Sequence, residues 1–264
     1  MTETVSSPGW LDSPEKACGD PTWHLGERLQ AEREDLRKGN ALVQSPDFVV
    51  DFILDRTLTP ALEEFGLPFT TLIDPACGAG NFLTAAFMRL AGAWWAQKPA
   101  SDVLTEPERM GLAQIVLDQV AGVDIDPDCT DLARHRLRTL ASGYAGIPTG
   151  AYDWRVHVAC ADSLLHGPGS GGVLPGPEHA CADRDCEQAR GILGCTYAAV
   201  VGNPPYITVK DKAKNAAYRA RYRTCMGQYS LSVPFTELLF GLAHRGGDEG
   251  RPVQTALPVA GVTR

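Results

Sequence analysis

The chain has 264 residues, of which 44% are hydrophobic and 21% are charged, and its formal net charge is −8. A chain of this length and apolar content can bury one substantial core, and its acidity argues against a protein whose whole surface binds nucleic acid. No charged and then apolar leader opens the sequence, and no apolar run is long enough to cross a bilayer. We therefore expect a cytoplasmic protein without a membrane partner, in which the eight cysteines are reduced thiols.

The first 38 residues are predicted to form an extension outside the main domain. Proline and glycine near the start favour disorder, and the apolar spacing from Trp23 to Lys38 predicts a surface helix. A second helix is expected over residues 47–65, broken at Pro60 because proline removes a backbone hydrogen bond. The main domain is expected to span residues 39–264.

A glycine-rich turn between an apolar strand and a helix is the first nucleotide-binding feature. The strand candidate is 69–73, the turn is Asp74-Pro75-Ala76-Cys77-Gly78-Ala79-Gly80, and apolar residues at helical spacing follow. This order is typical of a doubly wound α/β sheet. Leu83 stands where a dinucleotide-binding turn has its third glycine, which weakens a phosphate-binding interpretation. The loop instead suits an uncharged or zwitterionic ligand that approaches the backbone at Gly78 and Gly80.

Two further strand candidates end in acidic residues. Predicted helices at 106–119 and 128–142 flank a strand that ends in Asp124, and the strand candidate 154–159 precedes Asp162. An acid at the tip of the second strand is where a ribose diol is bound in such sheets. An Asp-Ser pair after a strand is also ordinary turn chemistry, so Asp162 keeps both a structural and a cofactor-binding interpretation.

Residues 166–196 are predicted to form a long Gly/Pro/Cys-rich loop, a length that is unusual unless the loop is functional or disordered. The loop contains Cys181, Cys186 and Cys195, and Cys160 precedes it. Four thiolates can bind zinc, but their spacing lacks the Cys-x-x-Cys pair of common structural sites. Scattered free thiols are the alternative, and we assign no metal ligand.

Asn203-Pro204-Pro205-Tyr206 is the most informative stretch of the chain, and it follows the apolar strand candidate 197–202. Two prolines fix an extended turn, so the Asn203 side-chain carbonyl and the Pro204 carbonyl can point at one atom. Two such acceptors favour the nucleophilic form of a ring-attached amine and stabilise the positive charge that grows during attack. Tyr206 supplies a flat surface for the ring. Alone, the tetrapeptide is equally compatible with this catalytic role and with a Pro-Pro strand terminator that carries an Asn turn residue.

These motifs together resemble the N6-adenine DNA methyltransferases that use S-adenosylmethionine, over roughly residues 39–243. The resemblance implies an α/β, doubly wound Rossmann-like sheet with a helical N-terminal preface. It also implies that the catalytic residues are Asn203, Pro204, Pro205 and Tyr206. The substrate would be double-stranded DNA with a flipped adenine.

The same resemblance implies the cofactor site. Asp74 and the loop after it would hold the methionine part, Asp124 the ribose, Ile125 the adenine ring and Asp162 the adenine amine. Ser45 stands where the family's closing motif has threonine. The residues with an implied cofactor contact are Ser45, Pro46, Asp74, Ala76, Gly78, Gly80, Asp124, Ile125, Asp162 and Ser163.

The segment 201–212, with 229–235 behind it, is similar to the PglX methyltransferases of phage growth limitation and BREX defence systems. That likeness implies methylation that marks host DNA during phage defence, with other defence-system proteins as further partners.

A basic stretch follows the tetrapeptide and contains a single acid, Asp211. Its position predicts contacts with DNA phosphates beside a flipped nucleotide, whereas charge runs are usually solvated faces of a helix or loop. The predicted DNA-contact residues are Lys210, Lys212, Lys214, Arg219, Arg221 and Arg223.

The sequence departs from the family after a predicted helix at 234–244. Three of the family's seven strands are absent or doubtful, since Pro252 directly precedes the candidate strand 253–259 and Pro258 lies within it. We therefore expect a sheet that is incomplete at its C-terminal edge, in a truncated enzyme or in one half of a split enzyme that needs a recognition half. Two alternatives remain open: an amine methyltransferase that acts on protein glutamine or RNA, and an inactive cofactor-binding remnant.

Overall fold

A computed structural model describes residues 22–32, 45–98, 104–172 and 185–244 of the chain. The predictions for residues 1–21 and for the candidate strand 253–259 lie outside these residues. Two of the eight cysteines, Cys18 and Cys181, also lie outside them.

Four parallel strands form one sheet at the centre of the described structure, in the order β3-β2-β1-β4. The strands are β1 (Leu72–Asp74), β2 (Val120–Asp124), β3 (His157–Cys160) and β4 (Ala199–Val200). Ile73 of β1 is in register with Ala121 of β2 and with Val200 of β4. Because the strands are parallel, their carboxyl ends lie along one edge of the sheet.

The helices are listed here in chain order. They are α1 (Trp23–Glu32), α2 (Asp47–Phe65), α3 (Asn81–Ala96), α4 (Glu106–Asp118), α5 (Pro127–Ala145), α6 (Ser163–His166), α7 (Cys186–Leu193), α8 (Lys212–Arg221) and α9 (Ser232–Leu242). A short 3-10 turn, Leu67–Phe69, precedes β1.

Helices cover both faces of the sheet, as the alternation of side chains along a strand requires. Leu72 belongs to a core cluster with residues of α2, α3, α4 and α5. Its neighbour Ile73 belongs to a second cluster with residues of α6, α7, α8 and α9. The strands are therefore buried on both faces, which explains their continuous apolar sequence. The predicted doubly wound α/β fold is confirmed.

Aspartates set the starts of several helices that line the functional edge. Asp126 accepts hydrogen bonds from two backbone N–H groups at the start of α5, and Asp211 does the same at the start of α8. Asp162 accepts one from Leu164 at the start of α6. Such caps satisfy donors that a helix cannot pair internally.

Two predictions about helices were wrong. Helix α2 is continuous through Pro60, because the buried residues Leu58 and Ala61 on either side of it anchor both parts in one core. The predicted loop 166–196 contains helix α7, whose Ala189, Ile192 and Leu193 are buried at helical spacing. The burial of these apolar side chains therefore stabilises α7 more than the glycines and prolines around that helix destabilise it.

The chain returns to the sheet after α9. The backbone N–H of Tyr197 donates to the carbonyl of Leu242 at 2.9 Å, and that of His244 donates to the carbonyl of Tyr197 at 2.9 Å. These bonds form an isolated parallel bridge between Tyr197 and Ala243, just before β4. Within residues 22–244, excluding the gaps stated above, no helix is long and apolar enough to cross a membrane.

Candidate active site

A cavity of about 130 Å³ lies at the carboxyl edge of the sheet. One polar residue from the end of each strand lines it: Asp74 of β1, Asp124 of β2, Asp162 after β3 and Asn203 after β4. The strand order brings these four positions together although they span about half of the sequence. Ligands of doubly wound sheets bind at this edge, beside the strand where the order of connection reverses, which here is β1.

The cavity contains most of the residues that were predicted to bind cofactor or to be catalytic. Those in its wall are Ser45, Asp74, Ala76, Gly78, Asp124, Ile125, Asp162, Ser163, Asn203 and Pro205. Four predicted residues are not part of the wall, namely Pro46, Gly80, Pro204 and Tyr206. Pro46 is the residue before α2, and Tyr206 is 45% exposed outside the cavity.

The glycine-rich loop forms the floor of the cavity and depends on left-handed backbone at two positions. Gly78 has φ 51° and Gly80 has φ 86°, a region that residues with a side chain rarely adopt. A Cβ on Gly80 would also lie 2.9 Å from the Cβ of Ala133 in α5. Gly80 therefore permits close packing of the loop on α5.

Asp74 is buried at the end of β1, and its Oδ1 accepts a hydrogen bond from the backbone N–H of Ala76 at 2.9 Å. Burial raises the pKa of its carboxyl to about 8, and the charge of Asp124 adds to this increase. Near neutral pH the Asp74 carboxyl is therefore mostly protonated.

Asp124 ties the second strand to the glycine-rich loop. Its Oδ2 accepts from the backbone N–H of Gly78 at 2.8 Å, and its Oδ1 accepts from that of Asp126 at 2.9 Å. Burial raises the pKa of Asp124 as well. Each carboxylate oxygen can accept a second hydrogen bond, so Asp124 can still bind hydroxyl groups in the cavity.

Asp162 is buried and both of its oxygens have donors. Oδ1 accepts from the backbone N–H of Leu164 at 3.1 Å, and Oδ2 accepts from the hydroxyl of Tyr218 at 2.5 Å. The Nζ of Lys214 lies 3.8 Å from the same Oδ2. The adjacent Ser163 donates its hydroxyl to the carbonyl of Pro75 at 2.6 Å and so connects α6 to the glycine-rich loop.

Asn203 faces Ser45 across the cavity. The Nδ2 of Asn203 donates to the Oγ of Ser45 at 3.3 Å, an orientation in which the side-chain carbonyl Oδ1 of Asn203 can accept from a ligand. The backbone carbonyl of Ser45 accepts from Nδ2 of Asn81 at 3.4 Å. These bonds join the segment before α2 to the start of α3 and to the segment after β4.

The buried guanidinium of Arg136 in α5 supports the cavity from behind. It donates to the carbonyl of Ala79 at 2.6 Å, to Oδ1 of Asn81 at 2.7 Å and to the hydroxyl of Thr22 at 3.0 Å. One side chain thus fixes the glycine-rich loop, the first residue of α3 and the segment before α1.

The predicted DNA-contact residues divide into two groups. Arg219 donates to the carbonyls of Cys225 and Gly227, and Arg221 donates to those of Leu164 and Gly167. Both guanidinium groups therefore hold neighbouring loops. The members of the other group are Lys210, Lys212, Lys214 and Arg223, which are exposed, as Arg219 also is.

The sequence analysis missed several residues of the cavity, of which Tyr218 is the clearest. Tyr218 and Tyr222 are four residues apart among the basic residues, and both are buried. That i, i+4 spacing of aromatic residues is the signal for an inward face of α8. The further cavity residues that were not assigned a role include Asn81, Phe82, Asp126, Cys129, Leu231 and Phe235.

The cysteines do not form a metal site within the described segments, where no cluster of ligating side chains is present. Cys77, Cys129, Cys160, Cys195 and Cys225 are free thiols. Cys186 is disulfide-bonded, so the expectation of reduced thiols throughout the chain is wrong at this position. The rule that a chain without a leader keeps its thiols reduced is a statement about cellular redox, and it does not decide a single pair that folding brings together.

Comparison with known proteins identifies related methyltransferases. Residues 184–250 match the model of the Eco57I restriction-modification methylase family. Over 255 residues the chain is 42% identical to the adenine-specific methyltransferase PglX of Streptomyces coelicolor, a match that covers 90% of this chain and 21% of PglX. The type II methyltransferase M.PaeR7I of Pseudomonas aeruginosa is 28% identical, over 92% of this chain and 36% of that protein.

Among solved structures, a nuclease-deletion mutant of the Type ISP restriction-modification enzyme LlaGI, in complex with a DNA substrate mimic, shares the fold. The TM-score is 0.50 at 14% identity, and the match covers 84% of this chain and 16% of that one. The chain therefore spans about a fifth to a third of the length of these curated relatives.

Proposed function

We propose that this chain, which is 42% identical to the adenine-specific methyltransferase PglX over 90% of its length, transfers a methyl group from S-adenosylmethionine to the N6 amine of an adenine in DNA. The observation that supports this most is the convergence of Asn203 with Asp74, Asp124 and Asp162 around one cavity. A catalytic amide and a nucleoside-binding set of acids at the same sheet edge are what such a transfer needs.

The chemistry of the cavity fits S-adenosylmethionine better than a nucleotide phosphate. Four of the polar residues in its wall are aspartates, and those that are ionised attract hydroxyl, amine and ammonium groups and repel phosphates. Asp124 would hold the ribose hydroxyls, Asp162 the adenine amine, and the loop after Asp74 the methionine part. Ile125, which is 44% exposed, would pack on the adenine ring.

Asn203 is proposed to bind the amine that is methylated. Because its Nδ2 donates to Ser45, its Oδ1 can accept from an amino group and would repel a ring carbonyl. When bound, S-adenosylmethionine supplies an electrophilic methyl group. The Asn203 and Pro204 carbonyls would stabilise the positive charge that grows on the attacked nitrogen.

An adenine inside a duplex cannot reach this cavity, so the base must be flipped out at a cost of a few kcal/mol. The exposed ring of Tyr206 would stack on the flipped base. The exposed basic residues at the start and end of α8 would bind the flanking phosphates. We infer that the protein acts on host DNA in the cytoplasm during phage defence, together with a recognition region and other defence proteins.

The test is methyl transfer from labelled S-adenosylmethionine to duplex DNA, RNA and protein, with the chain fused to the C-terminal region of a longer relative and with the Asn203→Ala variant of that fusion. We expect label on adenine in duplex DNA only, and a rate reduced by about 100-fold or more in Asn203→Ala at nearly unchanged cofactor affinity. Label on RNA or on protein glutamine would assign a different substrate. Full turnover in Asn203→Ala would refute the catalytic role of Asn203.

A further inference from the structure

We propose that Tyr218 is a positioning residue for cofactor recognition, because its hydroxyl holds Asp162 in the orientation that accepts the adenine amine of S-adenosylmethionine. The proposal rests on the proposed function, in which Asp162 binds that amine. It adds a residue of α8, the helix of the proposed DNA contacts, to the cofactor site.

The geometry fixes the Asp162 carboxylate at both oxygens. The backbone N–H of Leu164 donates to Oδ1 at 3.1 Å and the Tyr218 hydroxyl donates to Oδ2 at 2.5 Å. Asp162 is 5% exposed and Tyr218 is 4% exposed, so water does not compete freely for either group. Because its two donors come from different elements, the Asp162 carboxylate is held in a single orientation. Asp162 and Tyr218 both lie in the cavity wall.

The Tyr218 hydroxyl is suited to donate a hydrogen bond because it stays protonated. Burial and then the charge of Asp162 raise the pKa of Tyr218 above its ordinary value, so the hydroxyl keeps its proton. A carboxylate oxygen can accept two hydrogen bonds, and Oδ2 can therefore bind the adenine amine while it still accepts from Tyr218. The Nζ of Lys214 lies 3.8 Å from the same oxygen, so a positive charge is placed beside it.

The neighbouring Tyr222 offers a matched comparison. It is also buried, at 1% exposure, and its hydroxyl has no hydrogen-bond partner of good geometry among the described residues. The Arg221 guanidinium lies close enough to lower the pKa of Tyr222, against the larger effect of burial. Tyr222→Phe therefore removes a buried hydroxyl of the same region without removing a hydrogen bond to Asp162.

The experiment compares two ligands that differ at the amine. S-adenosylhomocysteine has the adenine amine, whereas S-inosylhomocysteine has a carbonyl there, and calorimetry with the 264-residue chain gives the affinity ratio. We expect the wild-type chain to prefer the adenine ligand by about tenfold or more. Tyr218→Phe should lower that ratio severalfold, and Tyr222→Phe should leave it unchanged. Asp162→Asn should also lower it.

Several outcomes would overturn the proposal. An equal loss of affinity for both ligands in Tyr218→Phe would show a purely structural role, and tighter adenine binding would show that the hydroxyl competes with the cofactor. If Tyr218→Phe does not fold while Tyr222→Phe does, the hydroxyl serves the fold. An unchanged ratio in Asp162→Asn would refute the proposal without reference to Tyr218. Failure of the wild-type chain to bind either ligand would overturn the proposed function as well.

Discussion

Asp74, Asp124 and Asp162 share one small cavity, and each is stabilised by a different donor set. Asp124 and Asp162 use both oxygens to accept hydrogen bonds, whereas burial favours the neutral form of Asp74. A site with two hydrogen-bonded carboxylates and one protonated acid avoids the full repulsion of three negative charges. It still presents acceptors to a ligand that is rich in donors.

The raised pKa of the Asp74 carboxyl predicts that the stability of the folded chain depends on pH. Its pKa in the folded chain is raised from 3.8 to about 8, so the folded state binds a proton that the unfolded state has released. The stabilisation is fully present below about pH 4 and is lost as the pH rises through about 8. We expect the melting temperature of the wild-type chain to fall between pH 6 and pH 9, in thermal unfolding measured without ligand at about constant ionic strength.

Asp74→Asn mimics the protonated carboxyl and should flatten this part of the curve. The control is Asp153→Asn, whose side chain is fully exposed and 3.9 Å from Arg138. Equal slopes in wild type and Asp74→Asn would contradict the assignment of the pH effect to Asp74. Burial raises the pKa of Asp124 too, so its contribution has the same sign.

Asp124 gives a prediction about cofactor affinity. Removing its carboxylate should remove charge-assisted hydrogen bonds to the ribose, each worth about 1.5–3 kcal/mol. Asp124→Ala should therefore bind S-adenosylmethionine at least about tenfold more weakly in calorimetry. Asp153→Ala serves as the exposed control, and an unchanged affinity in Asp124→Ala would exclude Asp124 from the site.

The sequence predicted the acids of the site because each follows a strand, and parallel strands end at one edge. It did not predict the bond between Tyr218 and Asp162 or the role of Arg136 behind the glycine-rich loop. These residues are 56 and 57 positions from their partners. Only the packing of α5 and α8 on the sheet brings them together, and a single sequence contains no spacing rule for that.

At the scale of elements, α8 combines a structural and an exposed set of basic residues. Arg221 donates to two carbonyls of the segment around α6, and Arg219 closes the loop after α8. The exposed lysines have no such backbone partners in the described structure. The sequence analysis gave all six basic residues one role, because charge and spacing do not reveal which guanidinium groups donate to backbone carbonyls.

Substitutions along α8 should therefore separate DNA binding from stability. Lys212→Gln should weaken DNA binding about equally for all sequences and reduce the salt slope by about one. Arg221→Gln should chiefly lower the melting temperature, since it leaves two carbonyls without donors. Filter binding across a salt series, together with thermal unfolding, measures both. The reverse pattern would place Arg221, rather than Lys212, on the DNA.

Helices α2 and α7 show where local sequence rules are insufficient. Proline inside α2 and the glycines around α7 both argue for irregular backbone. In the fold, both helices bury apolar residues against the sheet or its neighbours. The energy of that burial depends on the whole core, so it could not be assessed from either segment alone.

The whole molecule is acidic, with a formal net charge of −8, and it spans about a fifth of the curated PglX relative. Four exposed basic residues remain for phosphate contacts, since Arg219 and Arg221 hold backbone carbonyls. At a slope of about −0.9 per contact, a rise in salt from about 50 to about 200 mM should weaken binding about a hundredfold. That is a weaker dependence than six contacts would give.

We accordingly expect the 264 residues alone to bind duplex DNA weakly and to show no measurable methyl transfer to it. Fluorescence anisotropy over a salt series, and transfer of radiolabelled methyl groups, test these two expectations. Addition of the C-terminal region of a longer relative should restore transfer. Label on duplex DNA with the 264-residue chain, lost in Asn203→Ala, would contradict the second expectation.

Because Tyr218 of α8 donates a hydrogen bond to Asp162, α8 contributes both to the proposed binding of DNA and to the proposed binding of cofactor. If DNA orders α8 and α8 orients Asp162, then DNA raises the affinity for cofactor by some factor. Thermodynamic linkage requires the cofactor to raise the affinity for DNA by the same factor. The enzyme would then bind DNA more tightly when S-adenosylmethionine is bound. Tyr218→Phe would make the affinities for the two ligands independent of each other, without removing a phosphate contact.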